Sequence, residues 1–391
     1  MAPREQIHPC PPGGHRVVDW SERRVGHDRD HDIPRAAESR CGRSVRVVIP
    51  VTRTLSARIL RWHPDDAVIG FGRDPHPGEG GLARSRGSAN HLARPSTLPA
   101  ASRRSGSPTG ERRIMSHTRF AAMGTTVEVW SGDSRVRPWF ETVEGICSRF
   151  RTDSELTAIN ETAPGTLQVS DLMLDVLRAA AKAHEITAGF VDIAVEPALT
   201  AWGYDRTFED VGDLSNEPGP IAAGQWRVNG SSLTLAPGTR LDLGGIAKGW
   251  TCDRAVEAGM ATVVSAGGDL RSSDERTLVD LADPWGTTIA RVAVGVGALA
   301  TSSMTRRRWK AGRLHANHII DPRTMSPVVS PVLSATVVAE SAVGAEAGAK
   351  AVLIHGADGL AWADEQDWVR SAVVVWDDGA VYATHGTEMA A

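Results

Sequence analysis

The stretch 241-LDLGGIAKGWTCDRA-255 decides how this chain is read. A short apolar run reaches two glycines, Gly244 and Gly245, and then turns into a helical pattern with Lys248 in its first turn. Paired glycines let another molecule come close to the main chain. The first turn of a helix presents unpaired N–H groups and the positive end of the helix dipole, which suit an anion. Lys248 adds a full charge there, and Asp242 is placed to accept a hydrogen bond from a base or sugar. The pattern is neither GxxxxGKS/T nor GxGxxG. An unliganded strand-to-helix turn accounts for the same glycines equally well, so the stretch needs company from elsewhere in the chain.

Working outward, residues 119–130 read as a strand with Met123-Gly124 as a bulge or close-approach point. Residues 138–150 have helical spacing at Trp139, Val143, Ile146 and Phe150. A short helix at 153–160 is capped by Asp153 or Ser154, and the clearest helix runs over 171–189, from Asp171 at its cap to Gly189 at its stop. Strands at 225–228 and 232–236 are joined by an Asn229-Gly230 turn. Further strands are predicted at 261–267, 277–282, 289–295, 298–303 and 334–340, helices at 246–258, 342–355 and 357–365, and a hairpin over 371–384. Strands outnumber helices and arrive in groups, which predicts an α+β fold rather than a doubly wound sheet.

The chain has 391 residues and a net charge of −4. That balance gives no general attraction to nucleic acid or to an anionic membrane, and no apolar run is long enough for a membrane span. The charge is unevenly spread. Residues 1–114 carry 20 arginines, no lysine and 12 acidic residues, while the remainder carries 23 basic and 35 acidic residues. Residues 1–114 also hold 12 of the 22 prolines, so they are expected to be a disordered Arg/Pro/Gly-rich extension, with a mis-assigned start upstream of Met115 as one origin. One domain is expected over 115–391. Four scattered cysteines form neither a disulfide framework nor a zinc motif. Neither Met1 nor Met115 opens a signal peptide or precedes a lipid-attachment cysteine, so the expectation is a cytoplasmic protein.

Three further clusters carry chemistry. In 301-TSSMTRRRWKAGRLHANHIIDPRTMSPV-328, His315, His318 and Asp321 are spaced by three, but Ile319-Ile320 is strand-like and Pro322 breaks a helix, which argues against a shared helical face for a metal. His318 remains a candidate general base, with Asp321 shaping the loop; a hydrogen-bonded strand-end histidine is the plainer reading. Arg306, Arg307 and Arg308 suit either phosphate binding or simple solvation. Trp202 and Tyr204 flank Gly203 and could stack on a flat ring or pack in the core. In 266-AGGDL-270, Asp269 reads as a turn acceptor.

Each cluster alone is weak, but their order along the chain resembles the ApbE-like FAD:protein FMN transferases (flavin transferases). The resemblance rests on Met123-Gly124-Thr125, 149-RFRTDSELTAIN-160, 200-TAWGYD-205, 241-LDLGGIAKGWTCDRA-255, 267-GGDL-270, 300-ATSS-303, 318-HIIDPRT-324 and 334-SATVVAESAVGAEAGAKAVLIHG-356. It implies a single α+β flavin-transferase domain that takes FAD as substrate. With Mg²⁺, the FMN half of FAD would move onto a Thr or Ser hydroxyl of an acceptor flavoprotein, with release of AMP. By position, Met123, Phe150, Trp202, Gly203, Tyr204, Asp242, Lys248 and Ile320 would line the FAD site. Gly245 would give a main-chain oxygen to the metal, and His318 would deprotonate the acceptor.

One departure stands out. Where the family usually has an aspartate and, four residues later, an oxygen ligand for Mg²⁺, this chain has Glu346 and Lys350. An ammonium group cannot coordinate a metal ion, and the i,i+4 spacing suits an ion pair. Three expectations follow. Lys350 takes the cation's place and joins the catalytic residues; or Mg²⁺ persists on Glu346 and the Gly245 carbonyl; or only FAD binding remains. Hydrolysis of FAD to FMN and AMP is a further alternative activity. A glycine is also expected beside Ser303, where this chain has Met304.

Overall fold

The computed structural model describes residues 116–385 and 387, with the main chain of Val47–Ile49, Val68–Gly70 and Met389–Ala390. The rest of the extension expected over 1–114 lies outside the described residues. Eight strands form one sheet in chain order: β1 (His117–Ala122), β2 (Thr125–Trp130), β3 (Val263–Ala266), β4 (Asp269–Ser272), β5 (Gly297–Ser303), β6 (Val332–Ala339), β7 (Val369–Trp376) and β8 (Val381–Ala383). Each pairs antiparallel with the next. Val47–Ile49 adds an edge strand beside β8. The helices are α1 (Val136–Cys147), α2 (Glu155–Thr162), α3 (Asp171–Ile186), α4 (Glu196–Ala201), α5 (Ala247–Glu257), α6 (Ala342–His355) and α7 (Gly359–Asp364). The grouped strands and inserted helices are the expected α+β arrangement.

Side-chain alternation sorts the sheet's two faces. Val264, Ala298 and Ala300 pack with α1, α5 and α6, whereas Val263 and Leu299 pack on the opposite face. That opposite face is covered by the hairpin Leu278–Ala282 and Thr288–Ala293, through Val279, Leu281 and Val292. The sequence read 119–130 as one strand, but Met123 (φ 54°) and Gly124 (φ 64°) make a two-residue turn between β1 and β2. Positive φ at both central residues is what a tight hairpin with the sheet's twist requires. The predicted hairpin turn at Asn229-Gly230 is shifted by one residue, since Asn229 is the last residue of its strand. Similarly, Ser170 caps α3 in place of Asp171, accepting the Met173 N–H.

Two helices position the candidate site. The sequence of α6, AVGAEAGAKAVLIH, is nearly all small or apolar, and the helix is buried on almost every side. Gly249 brings α5 against it; a Cβ there would lie 2.9 Å from the Ala342 main chain. Asp253 of α5 accepts the N–H groups of Ala342 and Val343 at 2.8 and 3.1 Å, so one helix caps the other. Burial pushes the Asp253 carboxyl up to about 6 despite those bonds. Among the described residues, no helix is long and apolar enough to cross a membrane.

Candidate active site

The turn Leu241–Gly245 is pinned before it reaches α5. Asn160, at the end of the quoted 149–160 block, is buried and clasps Leu241 from both sides. Its Nδ2 donates to the Leu241 carbonyl at 2.9 Å and its Oδ1 accepts the Leu241 N–H at 2.7 Å. Replacing Asn160 with alanine would strand both main-chain groups in a dry interior, a loss of roughly 2–4 kcal/mol. Urea unfolding measures this; a loss below about 1 kcal/mol would mean that water or a rearranged loop serves the turn as well.

Beyond that pin, four charged side chains meet between α5, β4 and α6. Lys248 Nζ lies 2.8 Å from Glu346 Oε1, 2.9 Å from Asp269 Oδ2 and 3.1 Å from the Gly244 carbonyl. Lys350 Nζ lies 3.0 Å from the same Glu346 oxygen and 3.3 Å from the Gly245 carbonyl. The other Glu346 oxygen accepts the Gly249 N–H at 3.2 Å. Glu346 is only 2% exposed, on an otherwise apolar helix. Burial would raise its carboxyl, but the two ammonium groups outweigh that and hold it well below the usual range. Burial and the Glu346 charge push Asp269 up. Burial also works against the Lys248 charge, yet its two carboxylates raise its pKa above the ordinary lysine value. Asp269, which the sequence marked as a turn acceptor, is therefore an ion-pair partner. The Gly267-Gly268 turn, at φ 63° and 110°, delivers it to the start of β4.

The aromatic side of the site is built around Arg149. Its Nε donates to Asp242 Oδ2 at 2.5 Å and its guanidinium to the Tyr204 carbonyl at 2.6 Å. The same guanidinium lies 4.2 Å from the Phe150 ring centre and 4.8 Å from that of Tyr204. Asp242 is thus engaged by Arg149, and its second oxygen accepts the Gly244 N–H at 2.8 Å. Phe150 is 39% exposed. Trp202 and Ile320 are buried behind Tyr204, and Trp202 donates its indole N–H to the Met325 carbonyl. Gly203, at φ 98°, makes the bend between Trp202 and Tyr204. Met123 is half-buried and touches the Thr251 hydroxyl through sulfur.

His318 stands apart from the imagined metal group. His315 is exposed on the Leu314–Asn317 strand, and Asp321 pairs with Arg323 at 2.7 Å. His318 is half-buried, and its Nδ1 is covered and has no hydrogen-bond partner. Burial, then the charges of Arg307, Lys350 and Lys248, push its pKa down to about 3. These favour the neutral imidazole, whose unpartnered Nδ1 is covered from solvent. Arg307 donates to the Tyr204 hydroxyl at 3.1 Å and reaches the Gly124 carbonyl at 3.4 Å.

Sequence reasoning missed Arg149 and left Arg307 in an apparently solvated triplet. A signal for Arg307 existed: Thr305, Arg307 and Trp309 alternate with exposed residues, and Trp309 is buried. Nothing comparable marks Arg149, which sits just after a helix end as a surface arginine would.

The oxygens do not fit Mg²⁺. The ion takes near-octahedral oxygen ligands at close range, and here an ammonium bridges the Gly245 carbonyl and Glu346. Among the described residues, no three His, Cys, Asp or Glu side chains are grouped to hold a metal.

Comparison with known proteins shows the family to which this fold belongs. The chain is 27% identical over 270 residues to the FAD:protein FMN transferase of Vibrio cholerae, covering 61% of this chain and 78% of the relative. It is 29% identical over 215 residues to that of Rhodobacter capsulatus, spanning half of this chain and 41% of the longer relative. The crystal structure of the ApbE protein of Thermotoga maritima shares the fold, with a TM-score of 0.60 over 68% of this chain and 96% of that one, at 24% identity. The ApbE family profile matches residues 123–373, which include every candidate site residue named above, and the chain belongs to that family.

Proposed function

We propose that this protein is an FAD:protein FMN transferase, moving the FMN half of FAD onto a Thr or Ser hydroxyl of an acceptor flavoprotein and releasing AMP. The observation that carries the reading is the buried Lys248–Asp269–Glu346–Lys350 cluster at the Gly244-Gly245 turn, with the unpartnered His318 nitrogen in its field. Ion clusters of this kind are costly to bury and are not needed to hold an alanine-rich helix. The two ammonium groups are what a diphosphate requires, since phosphoryl transfer depends chiefly on positioning and on cations aimed at the phosphoryl oxygens.

In this reading Phe150 and Tyr204 hold a flat ring of FAD, with Arg149 fixing both rings and Asp242. The glycine turn lets the diphosphate reach the main chain. His318 takes the proton from the acceptor hydroxyl as its oxygen bonds to the FMN phosphorus. The bond from that phosphorus to the bridging oxygen breaks, and AMP leaves with it. The experiment is co-expression with a candidate flavoprotein followed by mass spectrometry. FMN esterified to one Thr or Ser, with AMP released in equal amount, supports the reading. Free FMN and AMP with no labelled protein would make the enzyme a hydrolase, and no turnover at all would leave an FAD-binding protein.

The pH dependence has a definite sign. A base with its free-state pKa pushed from 6.5 to about 3 stays active in acid, so the acid limb of kcat/KM is expected well below pH 6.5. Because the unfolded chain binds that proton more readily, this histidine costs stability as pH falls from about 6.5 towards 3, and costs nothing above. A kcat/KM limb centred between pH 6 and 7 would remove His318 from this role.

A further inference from the structure

We propose that the Lys350 ammonium is a built-in cation that clamps the FAD diphosphate, so that transfer needs no divalent metal. The inference rests on the transferase reading above and specifies the source of its positive charge.

The carboxylates around them separate the two lysines. An ammonium has three N–H bonds. Lys248 donates to the Gly244 carbonyl and to Glu346 and lies 2.9 Å from Asp269, so two carboxylates surround its charge. Lys350 faces two oxygens, on Gly245 and Glu346, and keeps one N–H. Lys248 therefore holds the acidic cluster together, while Lys350, beside one carboxylate that it shares, offers its charge and its remaining N–H to an incoming oxygen.

The seat for Lys350 is built in from two elements. A Cβ at Gly245 would come within 2.9 Å of the Lys350 Cε, so a larger residue there would displace the ammonium from its place across the turn. On α6, one helical turn brings Glu346 under the ammonium at 3.0 Å. The nitrogen rests between a main-chain carbonyl and a carboxylate, a pair of oxygens that would otherwise suit a hard cation. A divalent ion could reach them only by expelling a paired ammonium from a carboxylate that is 2% exposed. An ammonium neutralises charge and donates a hydrogen bond but does not acidify a bound hydroxyl as a metal does. Deprotonation of the acceptor then falls to His318 alone.

The test compares wild type, Lys350→Met and Lys350→Thr in FMN transfer with EDTA or with Mg²⁺, alongside a titration of each protein with Mn²⁺ followed by electron paramagnetic resonance. Wild type should transfer FMN at the same rate within about twofold in EDTA and in Mg²⁺, and should bind no stoichiometric Mn²⁺. Lys350→Met, which keeps the unbranched stem and removes the charge, should lose at least about 100-fold in EDTA. Lys350→Thr should bind one Mn²⁺ and regain part of its rate only with Mg²⁺. Strict Mg²⁺ dependence of wild type, or one tightly held Mn²⁺ in it, would overturn the proposal. Absence of transfer by every protein in both conditions would defeat the transferase reading instead. The Mn²⁺ titration would still decide whether the ammonium excludes a metal.

Discussion

Replacing Glu346 with alanine is expected to lower the stability of the folded protein by about 3–5 kcal/mol, the usual loss when one partner of a buried ion pair is removed. Glu346 answers both Lys248 and Lys350 through one oxygen and takes the Gly249 N–H with the other. Alanine fits the packing of α6, whose neighbouring positions are already alanine, so little of the loss would be steric. What remains is two ammonium groups with only Asp269 between them as a counter-charge. Urea unfolding would show this as a lower midpoint with an unchanged slope. The wild-type contribution should also be pH-dependent. A carboxyl held below its ordinary value stabilises the fold above the unfolded pKa of about 4.5, and that stabilisation is lost as pH falls further towards the folded value. A loss under about 1 kcal/mol at neutral pH would show that the cluster is far better solvated than its burial indicates.

Replacing His318 with alanine is expected to reduce FMN transfer by about 100- to 10,000-fold, the range general-base catalysis supplies. FAD affinity should change little, because the ring and diphosphate contacts belong to Phe150, Tyr204 and Lys350. Stability should not fall sharply either, since the lost ring carries an unsatisfied buried nitrogen. The separation of rate from affinity is the diagnostic feature. Equal losses in both would recast His318 as a binding or packing residue. Rescue of the alanine variant by added imidazole would strengthen its role as the base.

The sequence made the architecture legible because its signals were local. The α6 boundaries, 342 and 355, are those predicted, since Ser341 caps the start and Gly356, with its positive φ, ends the helix. The i,i+4 spacing of Glu346 and Lys350 announced an ion pair, and the pair forms. What stayed hidden depends on distant main chain. Nothing in the sequence says that the Lys350 ammonium meets the Gly245 carbonyl, or that one Glu346 oxygen serves two lysines. The clasp of Asn160 on Leu241 joins residues 81 positions apart and has no periodic signature. The hairpin at Arg308–Ala311 and Leu314–Asn317 was overlooked because its charged exposed face obscured the alternation with Trp309 and Ala311. Asp269 was misjudged for a related reason: a Gly-Gly-Asp turn looks the same whether its carboxylate faces water or a lysine.

The most direct measurement is a titration of the purified full chain with FAD, followed by quenching of flavin fluorescence, with Lys350→Met in parallel. If a cationic, glycine-lined turn holds a dinucleotide diphosphate, wild type should saturate, and the variant should bind at least tenfold more weakly. Non-saturating association at every FAD concentration, with or without divalent ions, would contradict that claim and remove the basis for assigning transfer chemistry to this cluster.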